Sequence, residues 1–513
     1  MTSGWYTHSF SKDMNKNTSQ LFNKEGYVLL KDYIGNITHM QKHGPWKLPL
    51  RFIDKAQLAL LSFVIRFSWF ANNIYIRHES WYSPAYSILI NYLIKKRVLD
   101  AVLKADSYVK DFFYIYSNKS FTINNHRIKM FGQSSDKDIE IALSKSIGEI
   151  LERTVSGIYD TNKMIMRVSP NDIQKKYKVV YPPKHHRFLK VQRDAYRELQ
   201  HNADNPIEWV KGKNIITKES TYIPRQMTSW FGYGGSRVLK EKFVDQNSNG
   251  CAGYFTKEGA TVRALLEEVS RDGFLVHWLT MIAPDVIQED SLPKEIQETV
   301  SEFASRGITL YIVSVTSLSI PSVYVVAINH QAERPKIIVS GAADVTYYGA
   351  VHAAIKEMVM LGAMFHSQEK SVEISTPYKP FISDISKDTR LSYWQGEQRL
   401  DEFNWFISGK KVLYKDLCSY DVDGKVDSDI QKLQTCLDIL QKHGEDYYPV
   451  VYYPRNTIQD SLGFYVAQVY IPKAFPFYLR ECYGTFDSDR LDDFAKSKNI
   501  QDWKLNEKPH MFN

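Results

Sequence analysis

Cysteine is scarce in this chain, with four in 513 residues: Cys251, Cys418, Cys436 and Cys482. No two of them form a CxxC pair, and none has a histidine at zinc-ligand spacing. A disulfide framework, a zinc module and a dithiol redox motif are therefore excluded, and buried free thiols in a reducing cytosol are expected. Long apolar runs are missing as well. The most apolar window, Leu58 to Ala71, is broken by Arg66 and Ser68, whereas a membrane span needs about 20 apolar residues; a packed helix is expected there. The first residues lack the basic-then-apolar pattern of a signal peptide, so a cytoplasmic protein without membrane contact is expected. Charge of one sign is weak too. The 65 basic and 58 acidic residues leave +7 over the whole length, which permits a nucleotide partner and gives no argument for nucleic acid.

The familiar catalytic signatures are also absent. Neither GxxxxGKS/T nor GxGxxG occurs, and the glycine-rich Phe231–Ser236 reads as a flexible turn. Asp421–Asp429 places its glycine at the fourth loop position and Lys432 at the twelfth. It is expected to be an acidic turn before a helix and not a calcium loop. His185-His186, between Lys184 and Arg187, has no further ligand at metal spacing and reads as a basic surface turn. No Ser/His/Asp or Cys/His arrangement can be assembled from spacing.

What is present is an ordinary globular composition, 43% hydrophobic and 24% charged, with length for two to four folding units. Residues 1–45 are polar, Asn/Lys-rich and irregular. Residues 46–125 read as mainly helical, then β-like at Phe112–Tyr116, either a winged-helix-like unit or a helical layer of the main domain. Residues 126–485 alternate helices and strands, giving an α/β (α+β) fold class. Helices are expected at 138–155, 258–280, 293–305, 347–365 and 425–442, with strands at 308–315, 323–328, 450–453 and 463–471. A linker or surface loop is expected at 371–388, and the tail from 486 to 513 reads as charged and loop-like.

Three helical segments carry acids. Glu149, Glu152 and Arg153 stand at i, i+3 and i+4, so the two carboxylates face one way. Two converging carboxylates suit Mg2+, a hard cation commonly shared with substrate phosphates; an intrahelical Glu149–Arg153 pair on a solvated face is the plain alternative. Further on, the small-residue turn Ser248-Asn249-Gly250-Cys251-Ala252-Gly253 feeds a helix with Glu267 and Arg271 at i,i+4, followed by Asp272. A third segment, Ala354-Ile355-Lys356-Glu357, again sets an acid in an apolar helix.

In this order the landmarks resemble the YcaO family: Gly148-Glu149-Ile150-Leu151-Glu152-Arg153, then Trp209-Val210-Lys211-Gly212, then the Ser248–Gly253 turn with Glu267 to Asp272, then the Glu357 helix. The resemblance implies an ATP-binding fold of its own kind over about residues 130–480. It implies ATP and Mg2+ as cofactors, with Glu149, Glu152 and Glu267 as metal-side acids. Arg153 and Arg271 would neutralise phosphate, and Asn249 and Glu258 would lie on the nucleotide side with Glu267. Members phosphorylate a peptide-bond oxygen after a nucleophile adds to the carbonyl, which makes a poor leaving group a good one. Azoline (thiazoline or oxazoline) formation on a ribosomally made precursor peptide, as in bacteriocin maturation, is the implied activity. The implied partners are a ThiF-like peptide-clamp protein and a flavin dehydrogenase, with a homodimer open.

Several positions depart from the family pattern. Ser270 stands where the second acid of E-x-x-E-R-D is usual, and Gly259, beside Glu258, where the turn is followed by glutamate. Arg263 replaces Gln or His, Ala353 replaces an arginine, and Ser134-Ser135-Asp136, with Lys137 next, replaces G-K-G. The ending Asn506–Asn513 lacks P-x-P-x-P. These changes keep two alternatives in view: a YcaO scaffold that binds peptide or partner without turnover, and a member forming thioamides or amidines.

Overall fold

The computed structural model describes residues 27–29, 75–77, 84–123, 126–157, 165–228, 242–330, 336–362, 377–385, 387–394, 398–419, 421, 426, 428–454 and 462–512. The irregular segment 1–45 (apart from 27–29), the apolar window 58–71, the glycine-rich turn 231–236 and the stretch 371–376 lie outside the described residues. Helices and sheets are mixed throughout, as the sequence pattern implies. All of the Phe112–Tyr116 run but its first residue falls in a long strand, Phe113–Ile123, flanked antiparallel by Ala101–Asp106 and His126–Asp136. Helix α1 (Ile139–Gly157) packs on this meander through Leu143, Ile147, Ile150 and Leu151, and shares its core with Tyr86, Ile90 and Leu93 of the helix Pro84–Lys95.

A seven-stranded sheet runs in the order Cys251–Tyr254, Tyr465–Tyr470, Val450–Tyr452, Ile207–Asn214, Ser220–Pro224, Lys178–Val179, with Ile165–Val168 also paired to Ile207–Asn214. Trp209 is fully buried in it and donates its indole N–H to the Val168 carbonyl at 3.0 Å. A five-stranded sheet runs Ile337–Ala343, Ser322–Asn329, Ile308–Ser314, Asp285–Ile287, Lys411–Val412. Its strand Ser322–Asn329 is buried on both faces. Val323, Val325 and Ala327 pack towards helix α3 (Tyr347–Leu361), while Tyr324, Val326 and Ile328 pack towards helix α2 (Lys257–Thr280). That alternation is the period of two of a pleated strand, and burial on both faces explains its continuous apolar sequence.

Helix α2 lies between these two sheets and belongs to the cores of both. Thr256 caps it by accepting from the Gly259 N–H, and Met281 closes it in the left-handed conformation at φ 54°. From Gly259 to Thr280 every residue is buried except Arg263 and Glu267. A helix covered all round is central to its domain; the i,i+4 gap at these two residues is where it meets a cavity.

Two expectations are corrected. The segment after Asp487 is not a loop: Asp489–Ser497 is helical, and Leu491, Phe494 and Ala495, at i, i+3 and i+4, are buried among the aromatic core residues. The last residues are buried as well. Trp278, Trp394 and Arg390 donate to the carbonyls of Lys508, Pro509 and Phe512 at 3.2, 3.1 and 3.0 Å. The apolar residues there are few, and the charged background hides their spacing. His185-His186 is not a surface turn either. Both rings are buried, and His186 Nδ1 lies 2.8 Å from Ser488 Oγ because His186-Arg187 pairs as a strand with Asp487-Ser488. Burial pushes the His186 imidazole down to about 3, so it is neutral. Among the described residues no helix is long and apolar enough to cross a membrane.

Asp272, the last residue of the α2 motif, anchors this C-terminal region. It is fully buried, takes two hydrogen bonds from Arg490 at 2.9 and 2.5 Å, and accepts from Ser317 and the Phe475 N–H at 2.7 Å each. Arg490→Ala leaves that carboxylate buried without its charge partner, which is expected to cost about 3–5 kcal/mol. Urea unfolding measures it; a loss below about 1 kcal/mol would show that the pair does not anchor the helix.

Candidate functional site

The carboxylate of Glu149 reaches back to the end of strand His126–Asp136. It accepts from the Gln133 N–H at 2.6 Å and pairs with Arg153 at 2.5 Å. Arg153 also donates to the Phe131 carbonyl at 2.6 Å, so strand and helix are tied at two points. Glu152, one turn along, points to the turn before α2 and accepts from the Gly253 N–H at 3.0 Å. Only glycine allows this approach, since a Cβ at 253 would lie 2.4 Å from the Phe464 ring and 3.2 Å from Glu152 Cβ. Burial, then the charges of Glu267 and Glu149, push the Glu152 carboxyl well above the ordinary range.

The turn itself is shaped by Gly250, at φ +67°. It sets Asn249 beside α2, where the amide N–H donates to Glu268 and the buried Oδ1 has no protein partner. Glu268 is buried, and its carboxyl is likewise pushed up, first by burial and then by Glu267 and Asp272. Glu267 and Arg271 are on the other side of the helix, 3.6 Å apart. Arg271 is held by Tyr324 Oη at 3.1 Å and by the Phe512 ring, 3.8 Å from the guanidinium carbon. Burial pushes the Glu267 carboxyl up to about 7; Arg271 and Arg153 oppose this, while Glu357 and Glu149 add to it.

Helix α3 supplies Glu357, whose carboxylate accepts from the Gly341 N–H at 3.3 Å. Two cavities meet at Glu357 and Ala353, since both residues line each of them. The smaller, about 390 Å³, is lined by Glu267, Ser270 and Arg271 with Arg263, Asp344 and Lys432. The larger, about 680 Å³, is lined by Glu149 with Ser134, Ser135, Lys145, His352 and Lys356. Asp136 below it takes Lys145 and Lys356 at 3.1 and 3.0 Å; these ammonium groups hold its carboxyl below the ordinary range although burial opposes them.

The structure therefore brings Glu149, Glu267 and Arg271 to the walls of one compound cavity. Glu152 and Arg153 stand behind them and line neither part. Asn249 lies at the turn, away from both cavities, and Glu258 is exposed in the first turn of α2. Lys137 does not enter the cavity; its ammonium lies over the Phe112 ring. Glu357, Lys145, Lys356 and Glu268 were not among the residues assigned from sequence. Glu357 had a signal, an acid in an apolar helix, whereas the lysines had none.

Glu267 and Glu149 thus act on Glu152, and Glu357 and Glu149 on Glu267, with the guanidinium groups of Arg153 and Arg271 opposing them. That surplus of carboxylates suits a hard cation. Among the described residues no three acidic, histidine or cysteine side chains form a ready cage. Mg2+ seldom needs one, because it retains water and shares substrate phosphates.

Fold and site together set acidic and basic side chains on the walls of one compound cleft. The family model that matches is the YcaO cyclodehydratase, ATP- and Mg2+-binding, over residues 136–474, and the chain belongs to that family. ATP and Mg2+ are the cofactors of the family. Comparison with the curated proteins finds no match. Among solved structures, a heterocyclase in complex with substrate and cofactor is similar at TM-score 0.65 and 16% identity, covering 82% of this chain and 57% of that one. YcaO from Methanopyrus kandleri, bound with AMPPCP and Mg2+, is similar at TM-score 0.54 and 15% identity, covering 78% and 93%. The E. coli microcin synthetase McbBCD complex is similar at TM-score 0.52 and 14% identity, covering 80% and 96%. At these identities the likeness is one of fold, and the chain spans 57% of the length of the first heterocyclase.

If the carboxylates repel one another until a cation arrives, removing one relieves the apo protein. Glu267→Gln is expected to raise apo stability by about 1 kcal/mol, of the size seen when a strained site is relaxed. The same substitution removes the stabilisation given by Mg2+ with nucleotide. Thermal unfolding with and without Mg2+ and a non-hydrolysable ATP analogue reads both effects. A destabilised variant that keeps its full ligand shift contradicts the cluster.

Proposed function

We propose that this chain activates backbone amides of a ribosomally made peptide with ATP and Mg2+, forming azolines. The observation that carries this reading is the placing of Glu149 in one cavity and of Glu267 and Arg271 in the other, with Glu357 lining both. Glu149, Glu267 and Glu357 would hold Mg2+, with Glu152 behind them. When bound, ATP supplies the phosphoryl group that makes the amide oxygen a leaving group, and Mg2+ neutralises its phosphates. Arg271 meets phosphate already oriented, because Tyr324 and Phe512 fix its guanidinium before any ligand arrives. Arg153 keeps Glu149 in place through its bond to the Phe131 carbonyl. The precursor peptide, a ThiF-like peptide clamp and a flavin dehydrogenase belong to this proposal as partners. Its support is the fold shared with a synthetase complex and with a heterocyclase that holds its substrate.

A second reading, a scaffold that binds peptide without turnover, is favoured by Gly259, Ser270 and Ala353 at positions where the family pattern is charged. Peptide-stimulated ATP hydrolysis separates the two. With the cognate precursor and partners present, Mg2+-dependent turnover is expected, and Glu149→Gln and Glu357→Gln are each expected to lower kcat by about 100-fold or more. Peptide binding without any hydrolysis in the complete mixture would leave the scaffold reading standing and remove the first.

A further inference from the structure

The lining of the larger cavity carries both signs: Glu149 and Glu357 as acids, Lys145 and Lys356 as bases. The two lysines come from different helices, α1 and α3, yet their Nζ atoms converge on a single oxygen, Asp136 Oδ2, at 3.1 and 3.0 Å. Two ammonium groups so close repel each other; Asp136 offsets one of them, and Glu149 and Glu357 face the same cavity, so the space suits an anion that arrives with a cation. Asp136 is itself nearly covered, its side chain 5% exposed, whereas the lysine side chains remain 50% and 40% exposed. The pair is therefore anchored from below and open above. Next to it, Ser135 Oγ is buried, lines the same cavity and has no protein partner. Two cations and an unpartnered hydroxyl converging on one space are the donor set of an anion site.

The position of Lys356 gives this arrangement a meaning within the family. Ala353 stands where the family pattern has an arginine, and it lines both cavities. Lys356 follows it by three residues on α3, so it projects from the same face one turn on. Both residues line the larger cavity.

We propose that Lys145 and Lys356, gathered by Asp136 and flanked by Ser135, form a two-lysine clamp for the polyphosphate of the nucleotide. The clamp takes over the charge role of the arginine that this chain lacks at position 353. The proposal rests on the reading that the chain binds Mg2+–ATP, and its test separates the two.

Calorimetric titration compares a non-hydrolysable ATP analogue with Mg2+ against AMP, on the full chain at one fixed salt concentration. Lys145→Ala and Lys356→Ala are each expected to weaken the triphosphate by roughly tenfold, the size of a lost charge-assisted hydrogen bond. AMP affinity is expected to stay within about twofold, and Lys356→Arg to retain most of the triphosphate affinity. Both side chains are partly exposed, and the melting temperature of each variant checks that it folds. Unchanged triphosphate binding in the double alanine variant overturns the clamp while the Mg2+–ATP reading stands. Equal weakening of AMP overturns the clamp too, because the lysines would then act outside the polyphosphate. No nucleotide binding by the unsubstituted chain overturns the Mg2+–ATP reading itself.

Discussion

Mutual repulsion among carboxyl groups on three separate helices is the constraint that the surrounding structure opposes. Glu149 and Glu152 come from α1, Glu267 from α2 and Glu357 from α3, and burial weakens the screening that would otherwise make their proximity harmless. Local partners, Arg153 for Glu149 and Arg271 for Glu267, offset part of that repulsion, and the helices are held by what lies on their other faces. Helix α1 is fixed by the apolar meander beneath it, and α3 by the sheet strand Ser322–Asn329. Helix α2 is fixed most strongly, between two sheets. One residue after Arg271 the helix turns by about 100°, and Asp272 points into its buried pairing with Arg490. Function and anchorage therefore occupy adjacent residues on different faces of one helix.

The arginines divide the work of balancing those acids. Arg153 spends its donors on Glu149 and on the Phe131 carbonyl, so it joins helix to strand more than it faces ligand. Arg271 is stacked on Phe512 and hydrogen-bonded to Tyr324, and Tyr324 in turn stacks on Phe274 at 4.7 Å with an interplanar angle of 9°. The Arg271 guanidinium is thus coupled to the aromatic core and to the end of the chain. Residues near the C-terminus thereby hold a side chain of the cleft wall although the sequence separates them from Arg271 by more than two hundred positions.

How much was legible follows from how each contact is made. Helices and strands were legible where a period is written in consecutive residues, as in α1, α2 and the five-stranded sheet. Glu149 and Glu267 stand out as acids on helices for the same reason, whereas Glu152, expected to face the way of Glu149, turns to the Gly253 N–H and lines neither cavity. Glu357 was visible as an acid in an apolar helix, but no local rule places that helix opposite the other two. The lysine pair could not be found, because Lys356 and Asp136 are 220 residues apart and only the fold brings them together. The C-terminal segment was misread for the opposite reason. Its apolar residues do have helical spacing, but Asp489, Arg490, Asp492 and Asp493 around them carry the composition of a solvated tail.

The departures from the family pattern are not of one kind. Position 259 is closed: a Cβ there would lie 2.1 Å from Tyr254 Cδ1 and 2.6 Å from Asp429 Oδ2. The space a glutamate would need is filled by a local set of contacts, in which Arg263 stacks on Tyr254 at 3.7 Å and pairs with Asp429 at 2.9 Å. Gly259, Arg263, Tyr254 and Asp429 are therefore coupled, and changing one alone breaks contacts among the others. Ala353 differs, because it opens onto both cavities and has cationic neighbours on either side, Lys356 in one and Lys432 in the other. One rim of the cleft has been rebuilt as a packed ion pair, while the other has lost one charge and holds others nearby. Loss of a motif letter thus means different things at the two positions, while Glu149, Glu267 and Glu357 line the cavities between them.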